Sequence, residues 1–162
     1  MNVIARPGTI ETVTGVRPPA PLSTAAGVVL ATLCDPETSV YLGSSVDQPA
    51  VRQWITFHSG APFVGPEQAQ FAFGTWEDLK DGSFSIGTSE YPDRSTTLVV
   101  EQPDLTSDGM RLSGPGIKDL ATLSLPETAF FQKNAALFPL GLDFFFTSAD
   151  RIAALPRTTK VV

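Results

Sequence analysis

The sequence predicts an α/β domain built on a mixed sheet flanked by helices. Three observations predict it. Short runs of β-branched and aromatic residues alternate along the chain with stretches of helical character, which favours a sheet with covered faces. One strand–turn–strand unit, 96–101 followed by 110–113, adds an antiparallel pair. A length of 162 residues, with 42% hydrophobic and 17% charged residues, suits a single globular domain, 1–162, with one core.

In chain order, Pro7, Gly8, Gly15, Pro18, Pro19 and Pro21 mark the first segment as an arm. Within it, 9–13 is β-like. Ser23 is an N-cap for a core helix over 25–33, a run with apolar residues on most faces. Asp35-Pro36-Glu37 ends it, and 39–42 reads as a short strand. A second helix starts at Asp47 or Gln48, with Pro49 in its first turn, where a missing amide hydrogen has no cost. Val51, Trp54, Ile55 and His58 share one face of it, and Gly60 stops it.

Residues 70–74 alternate as a strand, and 75–79 form a short helix opened by Thr75. A brief extended piece, 84–87, leads to the polar loop 88–95. Residues 96–101 are the strongest strand, paired with 110–113 across a turn. Gly114-Pro115-Gly116 breaks the chain. Residues 126–138 predict a third long helix, 142–147 a buried strand, 149–152 a turn or one helical turn, and 155–162 an extended end.

Composition excludes several function classes. A net charge of −6 argues against a dedicated nucleic-acid binder. No apolar run reaches the length of a membrane-spanning helix, and the first residues lack the pattern of a secretory signal. Cys34 has no partner for an internal disulfide and lies in an apolar run, which predicts a buried thiol. These features predict a cytoplasmic protein. With one histidine and one cysteine, the usual zinc ligand sets cannot be assembled, so no metal is expected. No Gly-x-Ser-x-Gly elbow supports hydrolase chemistry.

Seven strings in order carry a resemblance: Ala5-Arg6-Pro7-Gly8; Pro21-Leu22-Ser23; Phe57-His58-Ser59-Gly60-Ala61-Pro62; Gly87-Thr88-Ser89-Glu90-Tyr91-Pro92-Asp93-Arg94-Ser95-Thr96-Thr97-Leu98; Leu112-Ser113-Gly114-Pro115-Gly116-Ile117; Asn134-Ala135-Ala136-Leu137-Phe138-Pro139-Leu140-Gly141-Leu142-Asp143; and Leu155-Pro156-Arg157-Thr158-Thr159. Together they resemble the PhnH family, the H subunit of the bacterial carbon–phosphorus lyase system. Members usually carry an apolar amino-terminal helix before Ala-Arg-Pro-Gly, and this chain begins inside it. The resemblance implies a homodimeric subunit of a core complex with G, I and J subunits. That complex handles ATP and an alkylphosphonate, giving ribose 1-phosphonate 5-triphosphate with adenine release, and later C–P bond cleavage. It also implies a fold like a reduced large domain of pyridoxal-phosphate transferases, without the cofactor. Among Lys80, Lys118, Lys133 and Lys160, only Lys118 lies in a suitable loop, so the Schiff-base constellation is missing and no cofactor is expected.

Glu90, Tyr91, Asp93 and Arg94 form the densest polar stretch. They fit a ligand or partner loop, with Arg94 able to fork onto a phosphate or phosphonate; the alternative is a turn held by its own acid–arginine pair. Ser113, Gly114 and Gly116 could cradle an anion with converging amides, but Pro115 removes a donor and a tight turn explains the string as well. Arg157, like Arg6, sits beside a proline and could meet a phosphate, a partner carboxylate or a neighbouring carbonyl. His58 is expected to satisfy carbonyls at its helix end. Phe130, Phe131, Phe138 and Phe144–Phe146 exceed what a small core obviously needs, which predicts burial at an interface. Two functions follow: an assembly subunit of a phosphonate-processing complex, or a subunit that itself holds ATP or a phosphonate.

Overall fold

The computed structural model describes residues 3–162. Of the stretch read as the end of an amino-terminal helix, Met1 and Asn2 lie outside the described residues, and Val3–Ala5 form turns. The frame is a six-stranded mixed sheet in the order β1-β8-β7-β4-β3-β2. Its strands are β1 (Glu11–Thr12), β2 (Val40–Leu42), β3 (Phe71–Thr75), β4 (Thr97–Glu101), β7 (Asp143–Ser148) and β8 (Arg151–Leu155). The neighbours β2, β3, β4 and β7 run parallel, while β8 and β1 complete the far side antiparallel.

Two apolar layers sandwich this sheet. One face presents Val40, Leu42, Phe73, Val99, Phe145 and Ala154 to the helices α1 (Thr24–Leu33) and α2 (Pro49–His58). Ser23 caps α1, its hydroxyl accepting from the Ala26 N–H at 3.1 Å, as its residue type predicts. Val51 and Ile55 bury the apolar face of α2. The other face presents Leu98, Val100, Phe144 and Phe146 to α3 (Trp76–Leu79), α4 (Thr128–Ala136) and a small antiparallel sheet. That sheet is ordered β6-β5-β9, from β5 (Met110–Ser113), β6 (Ala121–Leu123) and β9 (Lys160–Val161).

Four expectations need correction. Residues 110–113 do not pair with 97–101. β4 has β3 and β7 on its two sides, so no edge remains for a hairpin partner, and β5 pairs with β6 and β9 instead. Leu98-Val99-Val100, buried on both faces, is the unbroken apolar run of a central parallel strand. Of the two readings of 149–152, the turn holds at Ala149 (φ 53°) and Asp150, a two-residue hairpin turn, and the helical turn does not; the correction is that Arg151 and Ile152 already belong to β8. The third helix, expected over 126–138, spans only Thr128–Ala136. Phe131, Phe144, Phe145 and Phe146 are all core residues, which leaves Phe138 as the exposed member of that group and Phe130 half-buried.

Cys34 sits at the end of α1, 7% exposed, and burial, helped by neighbouring Asp35, pushes its thiol up to about 12. The folded protein is therefore expected to resist iodoacetamide at pH 8, while the urea-unfolded chain labels at the rate of a free thiol. Mass spectrometry at both urea concentrations checks this; fast labelling of the native protein contradicts the burial.

Candidate functional site

Arg157, just after β8, is the most heavily bonded side chain in the region. Its Nε and Nη2 donate to the two oxygens of Asp143, at 3.2 and 2.7 Å. Nη1 donates to the carbonyls of Pro92 (2.6 Å) and Pro139 (3.4 Å), and Nη2 also to the Ser95 hydroxyl. A guanidinium has five N–H donors, and here each has an acceptor within the chain. The side chain is 12% exposed and serves the fold by joining β7, the loop 88–95 and the turn after α4. No donor remains for an added phosphate.

The loop 88–95 is where the chain leaves polar groups open. Tyr91 and Thr88 exchange backbone hydrogen bonds, and the Thr88 hydroxyl accepts from the Tyr91 N–H. The Arg94 guanidinium lies over the Tyr91 ring, 3.8 Å from its centroid. Among the described residues it makes no ion pair, so the internal acid–arginine turn expected as an alternative is not the arrangement found. Glu90, Tyr91, Asp93 and Arg94 are all exposed. Asp93 and Arg94, with Ser95, Thr97, Gln68 and Gln70, line an open hollow of about 590 Å³ at the amino ends of β3 and β4.

Ser113, Gly114 and Gly116 lie elsewhere. Gly114 and Gly116 have positive φ (130° and 83°), and a Cβ on Gly116 would stand 2.1 Å from the Ala5 carbonyl oxygen. The Gly114 carbonyl accepts from the Ile117 N–H at 3.1 Å. The loop is thus closed against the chain's own amino-terminal segment. Pro115 and Arg157 line a separate, smaller hollow with Phe138 and Lys160. Asp93 and Arg94 line one hollow and the saturated Arg157 the other, while Glu90, Tyr91, Ser113, Gly114 and Gly116 line neither.

The carboxyl ends of the parallel strands carry groups that residue type alone did not single out. Asp78 sits where β2 and β3 end, so close that a Cβ on Gly43 would meet its Cβ at 2.6 Å. Burial raises its pKa, but the Ser45 and Ser44 hydroxyls and the Thr75 and Ser45 N–H groups outweigh that and hold it below the ordinary value. Glu101 ends β4. Its oxygens accept from the Ser23 N–H (2.8 Å), the Ser23 hydroxyl (2.5 Å) and the Thr147 hydroxyl, tying the start of α1 to β4 and β7. Burial dominates there and raises its pKa, against the hydroxyl and amide donors that lower it.

That shift has a sign in stability. A carboxyl with a raised folded pKa binds more protons folded than unfolded, so its contribution is largest below the ordinary value of 4.5 and falls as pH rises through the window above it. The difference in urea-unfolding free energy between wild type and Glu101→Gln is expected to decline from pH 4.5 towards neutral. A flat difference over that range contradicts the assignment. Asp78 acts oppositely, its contribution being lost only as pH falls below 3.8.

Other expectations have simpler outcomes. His58 is exposed and stacks on Trp54, with ring centroids 4.3 Å apart. The carbonyls at the end of α2 are met by Ser59 and Gly60, not by the imidazole. Lys80 pairs with Glu77 at 3.0 Å, and Lys118, Lys133 and Lys160 are exposed. Among the described residues no group of three His, Cys, Asp or Glu side chains is placed to hold a metal, and no helix is long and apolar enough to cross a membrane.

The family described as bacterial phosphonate metabolism protein (PhnH) matches residues 1–162. A protein of Rhizobium meliloti (strain 1021), alpha-D-ribose 1-methylphosphonate 5-triphosphate synthase subunit PhnH, is 40% identical over 171 residues, covering 99% of this chain and 86% of the relative. The chain belongs to the PhnH family. In this PhnH-family chain, three of the strings that carried the resemblance meet at one guanidinium: Arg157 bonds Pro92 and Ser95 of the 87–98 string, and Pro139 and Asp143 of the 134–143 string. Asn134 adds a reciprocal pair with Leu142, Nδ2 donating to its carbonyl (2.9 Å) and Oδ1 accepting from its N–H (2.8 Å). Much of the recognisable pattern is therefore a structural junction.

Proposed function

We propose that this chain is a subunit of a multi-component phosphonate-processing enzyme of the kind its Rhizobium relative is named for, and that it contributes surface and assembly in place of a reaction of its own. Its partners are the G, I and J subunits of the carbon–phosphorus lyase core complex and a second copy of the chain. It works in the cytoplasm, without a cofactor of its own, on a fold akin to a reduced pyridoxal-phosphate-transferase large domain. The observation that carries this reading is the separation of the candidate polar residues, with Arg157 consumed by the fold and the Ser113–Gly116 loop closed on the chain itself. Catalysis by a side chain needs an acid, base or nucleophile within hydrogen-bond reach of a reacting atom. The exposed apolar side chains Phe57 (85%) and Phe138 (57%), at the ends of α2 and just after α4, support a docking role.

Co-expression with the G, I and J subunits, followed by size-exclusion chromatography, tests this. The chain is expected to co-elute with them, and the double variant Phe57→Ser, Phe138→Ser to elute apart while remaining folded. Elution of the wild-type chain alone sinks the proposal. A second reading is favoured by the unpaired Arg94 guanidinium laid on Tyr91 beside an open hollow: direct binding of ATP or a phosphonate. Calorimetric titration with ATP and with methylphosphonate decides it. Heat that disappears in Arg94→Ala supports the second reading, and its absence removes it.

A further inference from the structure

The small sheet β6-β5-β9 has one face in the core and one in solvent. Leu112, Leu123 and Val161 are buried in the layer that also holds Phe131 of α4. Successive residues of a strand point to opposite faces, so Arg111, Ser113, Thr122 and Lys160 share the outer face. Arg111 and Lys160 are exposed there, and none of the three strands contains an aspartate or glutamate. Lys160 stands opposite Ser113, and Val162 continues the register opposite Arg111, its N–H donating to the Arg111 carbonyl at 2.9 Å. The two cations are therefore diagonal neighbours on adjacent strands, a spacing of about 7–8 Å.

Among the described residues neither cation makes an ion pair, and the acids of the flanking turns, Asp108 and Asp119, lie off the strands. The exposed Arg6 and Lys118 add positive charge at the end of β5, where Gly116 abuts Ala5. Adjacent like charges repel, and no carboxylate of the chain offsets them on this face. An anionic partner would.

Three properties choose that partner. The net charge of −6 repels a long polyanion such as nucleic acid, and leaves attraction only for a local group of carboxylates. Leu120 (53% exposed) leads into β6 and Val162 (61%) follows β9, and apolar side chains beside charge suit a protein surface. The spacing of the two cations matches that of alternate residues in an extended segment, about 7 Å apart on one face.

We propose that the outer face of β6-β5-β9 docks an extended acidic segment of a partner protein. Its alternate carboxylates meet Arg111 and Lys160, and its flanking apolar side chains meet Leu120 and Val162. This adds a docking surface to the assembly reading. The test uses the chain alone, so failure to co-elute with G, I and J subunits and failure of this inference are read separately.

The probe is the end-capped peptide Val-Thr-Glu-Thr-Glu-Thr-Val, with a counterpart carrying glutamine at both glutamate positions. Nitrogen–proton NMR of the full chain follows the backbone amides. Saturable shifts centred on Arg111, Thr122 and Lys160 are expected with the acidic peptide, and about three- to tenfold weaker binding with the glutamine peptide, as two exposed ion pairs imply. Salt at 0.5 M is expected to weaken the acidic peptide by a similar factor. The double variant Arg111→Glu, Lys160→Glu is expected to melt within about 2 °C of wild type, because both side chains are exposed, and to show no saturable shift. Arg111→Lys is expected to keep the binding. No saturable shift, shifts centred elsewhere, equal binding of the glutamine peptide, or unchanged affinity in the folded double variant each overturns the inference. Tighter binding of duplex DNA at the same amides overturns it in favour of a nucleic-acid partner.

Discussion

Phe131→Ala is expected to destabilise the protein by about 3–5 kcal/mol, the largest loss from any single truncation on the α4 side of the sheet. Phe131 is 1% exposed, and its ring lies 4.8 Å from Phe144, 5.2 Å from Trp76 and 5.7 Å from Phe146. Edge-on packing of Phe131 against Phe144 and Phe146 adds to area burial. Removing Phe131 leaves a cavity at the point where α4 meets β7, and the sheet beneath cannot collapse into it. At roughly 2–4 °C per kcal/mol for a chain of this size, the melting temperature falls by about 6–20 °C. Phe138→Ala, at an exposed position on the same stretch, is expected to change stability by no more than about 0.5 kcal/mol. Urea unfolding of the two variants separates core from surface phenylalanines. A loss below about 1 kcal/mol at Phe131 removes it from the core.

That contrast shows where sequence reasoning reaches and where it stops. The two longest helices on the first face were legible because local rules decide them: a serine cap at Ser23, a proline in the first turn at Pro49, a helical stripe at Val51 and Ile55, and a glycine stop at Gly60. The capping box of α3, with Thr75 and Asp78 each bonding the other's backbone, follows from Thr75-Trp76-Glu77-Asp78 alone. Pairing is a longer-range matter. Leu98-Val99-Val100 is as compatible with a hairpin as with a central parallel strand, and only the positions of β3 and β7 decide it. β8 was hidden by composition: alanines at 153 and 154 are poor strand formers, and Ala149-Asp150 lacks the Asn-Gly signal of a two-residue turn.

The candidate site was legible as a set of residues but not as a geometry. The polar loop 88–95 was found because its composition breaks an apolar pattern. Nothing in the spacing shows that Arg94 is left open while Arg157, more than sixty positions away, is saturated. The carboxyl-edge groups were missed for a related reason. Asp78 and Glu101 are single acids in ordinary contexts; only the alignment of β2 with β3 gathers Ser44, Ser45 and Thr75 around Asp78, and only the packing of β4 against β7 and the start of α1 brings Thr147 and Ser23 to Glu101.

Arg157→Ala is expected to lower stability by about 3 kcal/mol, because it leaves a partly buried Asp143 carboxylate without its partner and two loop carbonyls without donors. The corresponding fall in melting temperature is about 6–12 °C. Arg157→Lys is expected to recover less than half of it, since one ammonium cannot span Asp143, Pro92, Pro139 and Ser95 as a planar fork does. Hydrogen exchange provides the readout that stability alone does not. The Thr96 amide donates to the Ser85 carbonyl at 2.8 Å, and the Ser85 hydroxyl donates to the Arg94 carbonyl at 2.8 Å, so both depend on the loop that Arg157 anchors. Exchange at Thr96 and through 91–95 is expected to accelerate in Arg157→Ala beyond the change in global stability. Arg94→Ala, exposed and unpaired, is expected to leave stability within about 0.5 kcal/mol and exchange at Thr96 unchanged. Any binding or docking that depends on the 88–95 loop should then be lost in both variants, through disorder of the loop in one and loss of a single open guanidinium in the other. Loss in Arg157→Ala with full retention in Arg94→Ala assigns the loop's role to its shape, with the Arg94 charge playing no part.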